Sequence, residues 1–415
     1  MGRNSYPSLF TVSVILAFGL GLATIARAAP KYKVLYSFGS GNDASGPYAP
    51  VAMDSSGNLY GTAGGGDYEL GTVFKLTPGS GGWTESVLYS FGGTNDDGEG
   101  PLAGLAFDKL GNLYGTTPNG GTYEWGTVFE LTPGSSGWTE SVLYSFGASK
   151  GDGGHAESGV VLDGLGNLYG VVPFGGNGGR GTAYELSPGS GGWVETLLYR
   201  FGGGNDGYFS LGGLTWDGTN KLYGTTSKGG AYDEGTVFQL ARSSGAWKER
   251  VLYSFGSAKR DGGFPGTGSL ILDGAGNLYG TTEDGGTNIC FSEYDCGTVY
   301  ELSPGSDGHW KEKILYDFKE GASGFTPLGL VARDKAGNIY GTTSEGGDSV
   351  CACGVVYKLA PQPGGKWKYT VLHKFVAATG GLPEGGVILD GKGNLYGTTL
   401  GGGAHGDGVV FEVTP

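Results

Sequence analysis

The chain has 415 residues, 90 of them Gly and 17 Pro, together with 25 Tyr, 19 Phe and 8 Trp. So much Gly excludes a helical protein, because each interior Gly costs a helix about 1 kcal/mol; the aromatics exclude a disordered linker, and the absence of a three-residue Gly period excludes collagen. With 26 basic against 40 acidic residues, a formal net charge of −14 and no Lys/Arg cluster, nucleic acid is not an expected partner.

In chain order, the first expected element is an export signal at 1–28. Arg3 stands ahead of an apolar run over 9–26, and Ala26-Arg27-Ala28 makes an A-x-A cleavage site. A retained anchor helix is the alternative, since the run approaches a bilayer span. No Cys follows it to carry a lipid, and no later stretch is apolar and long enough to cross a membrane. A secreted or periplasmic monomer is therefore expected.

Beyond the signal, the pattern D-x-x-G-N-L-Y-G-T-T begins at Asp54, Asp108, Asp163, Asp217, Asp273, Asp334 and Asp390. Each copy holds four strand-like segments, in the second copy 102–107, 112–116, 126–131 and 138–146. The Asp-x-x-Gly link between the first two reads as a type I turn closed by a left-handed residue. Asn220 replaces that Gly in the fourth copy and is expected to take the same left-handed conformation. Seven units of four antiparallel strands predict an all-β, seven-bladed β-propeller. The blades fall near 46–91, 100–146, 156–201, 207–255, 264–318, 324–375 and 382–415. The last lacks its fourth strand, and 32–38 matches 87–91 and 142–146, so the N-terminal strand is expected to complete it. Closing the ring this way also removes two open sheet edges.

The repeated Tyr of Leu-Tyr-Gly and the repeated Trp at 83, 138, 193, 247, 310 and 367 read as packing between blades. Gly104, Gly159, Gly213 and Gly386, with Ser269, fit a first strand lining a narrow axial channel. The run G-N-L-Y-G-T-T…G-G…G-T-V-F-x-L, at 111–131 and again at 276–302, resembles the GloVer tandem-repeat proteins of bacteria. The resemblance covers about 32–415. It implies a secreted or surface-attached propeller, with no settled activity. Such proteins often carry a C-terminal anchor, and this chain ends at a blade strand, Phe411-Glu-Val-Thr-Pro415, which favours a free form.

Long loops between the second and third strands, and between blades, share one face, and function on a rigid scaffold rides on such loops. There Asp43, Asp97, Asp152, Asp206 and Asp261 lie 11 or 12 residues before their turn Asp, with Ser323 and Thr379 in the sixth and seventh copies. These residues read as capped turns, or as a carboxylate ring at the channel mouth that binds Ca²⁺. Tyr68, Tyr123, Trp125, Tyr208, Tyr232 and Phe264 add aromatic faces for a glycan or an extracellular protein. Cys290, Cys296, Cys351 and Cys353 predict disulfides in an exported chain, Cys290–Cys296 stapling an inserted loop, with Cys351–Cys353 or cross-blade pairing both open. Only His155 and His405 lie on this face, too few for a multi-His metal site, although Asp407 or Asp152 could join them. No nucleophile elbow, zincin helix or phosphate loop is present, so no catalytic residue is assigned. The expectation is a non-enzymatic binding propeller. The alternative is an extracellular carbohydrate hydrolase or lyase using acids on the same face.

Overall fold

The computed structural model describes residues 29–39, 43–149, 151–290 and 294–415. The expected export signal at 1–28 lies outside them. Among the described residues there is no α-helix, and the chain forms seven four-stranded antiparallel blades in a ring. In the second blade the strands are Ala106–Phe107, Leu113–Thr117, Thr127–Gly134 and Gly137–Ser145, running outward from the axis.

Ring closure follows the sequence. Lys31–Ser37 pairs antiparallel with Val409–Thr414, Lys31 opposite Thr414 and Ser37 opposite Val409, as the outer strand of the seventh blade. A one-residue register shift sits between Val34 and Tyr36, as it does at the equivalent place in the other outer hairpins, such as that at Val128/Phe129.

The innermost strand is shorter than expected. Of 102–107 only Ala106–Phe107 pairs with the second strand. The residues before it hug the axis, where threonine hydroxyls of the preceding blade take their carbonyls. Thr62 Oγ1 donates to Ala103 O at 2.8 Å, Thr116 Oγ1 to Ser158 O at 3.0 Å and Thr398 Oγ1 to Ala49 O at 2.8 Å. Bulk is excluded there, because a Cβ on Gly159 would lie 2.6 Å from Gly104 O.

Each blade is filled from its third strand. A Cβ on Gly115 would stand 2.4 Å from Phe129 Cζ, so the Gly of Leu-Tyr-Gly leaves room for that ring. Phe129 is fully buried and meets Phe91 edge-on at 5.1 Å. The repeated Tyr and Trp join blades: Tyr60 packs edge-on against Phe107 at 5.1 Å and Trp138 at 6.2 Å in the next blade. Such pairs add about 0.5–1.5 kcal/mol beyond the area they bury.

The short face carries the Asp-x-x-Gly turns. Asp163 Oδ1 accepts from the Leu165 and Asn167 N–H groups at 2.8 and 3.0 Å, and Oδ2 from Asn167 Nδ2 at 2.9 Å and Tyr169 Oη at 3.1 Å. Burial works to raise its carboxyl, but these bonds outweigh it and hold the group below the usual carboxylate range. The fourth turn departs from expectation. Asn220 is not left-handed; Gly218 takes φ 82° instead. The left-handed residue moves to a glycine one place after Asp217, and Asn220 N donates to Asp217 Oδ1 at 3.0 Å.

Candidate functional site at the axial mouth

On the long-loop face one backbone position recurs in all seven blades. Its N–H donates to the carbonyl just before the third-strand Gly of the preceding blade. His155 N bonds Trp125 O at 2.8 Å, Phe264 N bonds Glu234 O at 2.9 Å and Gly100 N bonds Leu70 O at 2.7 Å. All seven residues have positive φ, and two are Gly46 and Gly100. The other five are His155, Phe209, Phe264, Thr326 and Leu382, at φ 57°, 56°, 50°, 58° and 57°. A side chain in this conformation costs about 1–2 kcal/mol, which the two glycines show the backbone can avoid.

Three of those five are rings, and two belong to a continuous aromatic arc across the second to fourth blades. Trp125 lies 5.3 Å from His155, His155 5.5 Å from Phe174, Phe174 5.4 Å from Phe209 and Phe209 5.1 Å from Tyr208. Arg180 stands over Tyr208 at 5.3 Å, and Lys228 over Phe264 at 3.6 Å. Trp125 is 43% exposed and Phe174 38%, so the arc keeps open surface.

Inside the arc lies an axial cavity of about 250 Å³, whose mouth is lined by Tyr48, Leu102, Glu157, Leu211 and Thr267, over a floor that includes Gly104 and Gly159. Burial raises the carboxyl of Glu157 against the opposing pull of His155. Burial also raises Glu384, which is hydrogen-bonded to Tyr48, and raises Glu345, where Glu384 adds to the effect. The Tyr48 hydroxyl is raised in turn, first by burial and then by Glu384. Tyr48, Glu157 and Glu384 each stand six residues before their turn Asp. The repeat register leads to all three, but no residue type is kept at that position to mark it, since Leu102, Leu211 and Leu328 stand there in other copies.

The five aspartates are elsewhere, which corrects the expected ring. Asp97 Oδ2 accepts from Gly92 N at 2.8 Å, Gly93 N at 3.2 Å and Tyr89 Oη at 2.8 Å, all at the end of the outer strand the chain has just left. Asp43 is bonded by Tyr36, Asp152 by Tyr144, Asp206 by Tyr199 and Asp261 by Tyr253, each at 2.9 Å. The aspartates therefore sit at the rim, one at each of five blade junctions, and do not converge on the axis. Among the described residues no group of three or more His, Cys, Asp and Glu could hold a metal ion, a set of His155, His405 and Asp407 included.

Tyr68, Tyr123 and Tyr232 are exposed at the periphery. Tyr123 flanks a shallow hollow beside the outer-strand residues Val142 and Tyr144. Of the aromatic ligand residues expected from sequence, Trp125 and Tyr208 join the arc, and Phe264 takes one of the left-handed positions at the mouth. Cys290 pairs with Cys296 and Cys351 with Cys353, each bridge within one loop.

The model of the Gloeobacter/Verrucomicrobia repeat matches residues 21–218, 108–305, 157–349 and 291–415. The chain belongs to this repeat family. The overlapping family matches run across the blades, so the family unit is a piece of propeller and not a separate domain. No curated protein matches the chain. Among solved structures, it is similar to a Bacteroides uniformis protein provisionally described as a 6-phosphogluconolactonase, with 12% identity, 85% of this chain and 87% of that one covered, and a TM-score of 0.50. At that identity the likeness concerns the fold alone. No helix among the described residues is long and apolar enough to cross a membrane.

Proposed function

We propose that this repeat protein is exported, to the periplasm or the medium, and binds a glycan at the axial mouth of its long-loop face. The observation that carries the reading is the set of five side chains held at positive φ around the mouth, where Gly46 and Gly100 occupy the same position without strain. Strained backbone persists where its side chain is needed, and here His155 and Phe209 extend an aromatic surface. Flat rings pack against sugar faces, while Glu157, Glu384 and Tyr48 offer hydrogen bonds to hydroxyl groups. Two loop disulfides support an oxidising compartment. The test is a glycan array probed with labelled protein, with and without Ca²⁺. Specific spots support the reading, and a blank array against neutral and acidic oligosaccharides refutes it.

A second reading rests on a specific observation. Glu157 and Glu384 both act on Tyr48 at the mouth and Glu384 acts on Glu345, and all three carboxyls are raised by burial, which suits the acid and base of a carbohydrate hydrolase or lyase. Product analysis of any array ligand separates the two. Cleavage that is lost in Glu384→Gln, with binding kept, establishes the enzyme; binding without products establishes the binder.

A further inference from the structure

At five of the seven blade junctions a rim aspartate of one blade meets a glutamate from the outer strand of the next. The pairs are Asp43 with Glu85, Asp97 with Glu140, Asp152 with Glu195, Asp206 with Glu249, and Asp261 with Glu312. In each pair Oδ2 of the aspartate is bound by the tyrosine of its own outer strand, at 2.8–2.9 Å. Asp97 and Asp261 are only 4% and 6% exposed. Asp206 Oδ1, Asp261 Oδ1 and the Oε1 atoms of Glu85, Glu140, Glu249 and Glu312 are buried with no hydrogen-bond partner as acceptors. Two buried anions with empty oxygens side by side are costly, and one proton between them removes the cost.

The two remaining junctions show which group the glutamate supplies. There the aspartate position holds Ser323 or Thr379, and the glutamate position holds Tyr369 or Tyr32. Tyr369 Oη donates to the Ser323 carbonyl, and Tyr32 Oη donates to the Thr379 carbonyl at 2.5 Å. Tyr369 stacks on Tyr316 at 4.0 Å and Tyr32 on His373 at 3.6 Å. Acid and acid are thus replaced together, and the substitute for glutamate is an O–H donor aimed at the same loop.

We propose that these five junctions are closed by protonated glutamates donating to the rim aspartates, so that the propeller ring is clamped by five protons that mildly alkaline pH removes. Burial first and the aspartate second push Glu85, Glu140, Glu195 and Glu249 up to about 7, and Glu312 to about 8. The other groups facing the pairs are the five tyrosines, Tyr68 beside Tyr89, Tyr123 beside Tyr144, Ser257 on Asp261, and the cation Arg200, which acts against the shift at Glu195. A raised carboxyl gives stability that is fully present below its ordinary value near 4.5 and is lost as pH rises through 7 to 8.

The experiment compares thermal unfolding of the wild type and the E85Q/E140Q/E195Q/E249Q/E312Q variant between pH 5 and 9. An amide N–H donates at every pH, so the wild-type Tm is expected to fall by roughly 5 °C or more across this range while the variant stays nearly level. A level wild type, or an equal fall in both proteins, overturns the proposal. Infrared spectra of an E157Q/E345Q/E384Q protein, free of the raised carboxyls at the mouth, give an answer even if the fivefold variant does not fold. A protonated-carboxyl band present at pH 6 and lost by pH 9 supports the clamp, and no such band at pH 6 refutes it. A wild-type Tm raised by Ca²⁺ at pH 8 and lowered again by EDTA also refutes it, because a cation and not a proton would then join the pairs.

Discussion

The two faces of the propeller treat repetition in opposite ways. On the short face the repeat keeps both residue and bond: Asp54, Asp163, Asp273, Asp334 and Asp390 all accept from an Asn side chain and a Tyr hydroxyl through Oδ2. On the long-loop face the repeat keeps the left-handed conformation and lets the side chain vary through Gly, His, Phe, Thr and Leu, at a cost in strain. Uniform residues mark a turn geometry that the blades share, whereas costly variety is what the proposed binding surface would ask of its backbone.

The largest effect is expected from breaking the uniform face. Asp163→Ala removes four hydrogen bonds to a carboxylate and should lower stability by about 3 kcal/mol in urea unfolding, with the mouth left intact. Acid should act on the same face. The carboxyls of Asp54, Asp163, Asp217, Asp273, Asp334 and Asp390 are held low by the turn bonds that outweigh burial. Their stabilisation is present above the ordinary value and drains away as pH falls below about 4, which an acid-unfolding curve will show.

The opposite behaviour is expected at the mouth. His155→Gly relieves a φ of 57° while opening the aromatic arc. Stability should change by less than about 1 kcal/mol, while glycan affinity falls about tenfold in calorimetry. The smallest effect belongs to the core that serves both faces. The Tyr184 hydroxyl is fully buried without a partner, so Tyr184→Phe should raise stability by up to about 1 kcal/mol and leave binding unchanged.

Much of this contrast can be read in the sequence, and the limits have physical causes. Turn spacing and the displaced strand at 32–38 reveal the ring, because turn chemistry and strand pairing are local or strictly repeated. Counting back from the turn Asp misplaced Asp97 and its equivalents, since the chain crosses the blade from rim to axis between those points. Their bonds to Gly92, Gly93 and Tyr89 lie on the other side, with the strand already finished. Asn220 misled for a similar reason: Gly218 in the same turn could take the left-handed place at lower cost. The joint replacement of Asp by Ser323 or Thr379 and of Glu by Tyr369 or Tyr32 is visible in the letters. Its meaning is not, because the paired positions are tens of residues apart and meet only once the blades are packed.

The central claim is that the strained side chains at the mouth exist to bind. The most direct measurement is a glycan array of the wild type beside the H155G/F209G/F264G variant, with the Tm of both recorded. The account predicts specific spots for the wild type that disappear in a variant still folded at room temperature. The same spots retained by the folded variant, or no spots for the wild type, would contradict it.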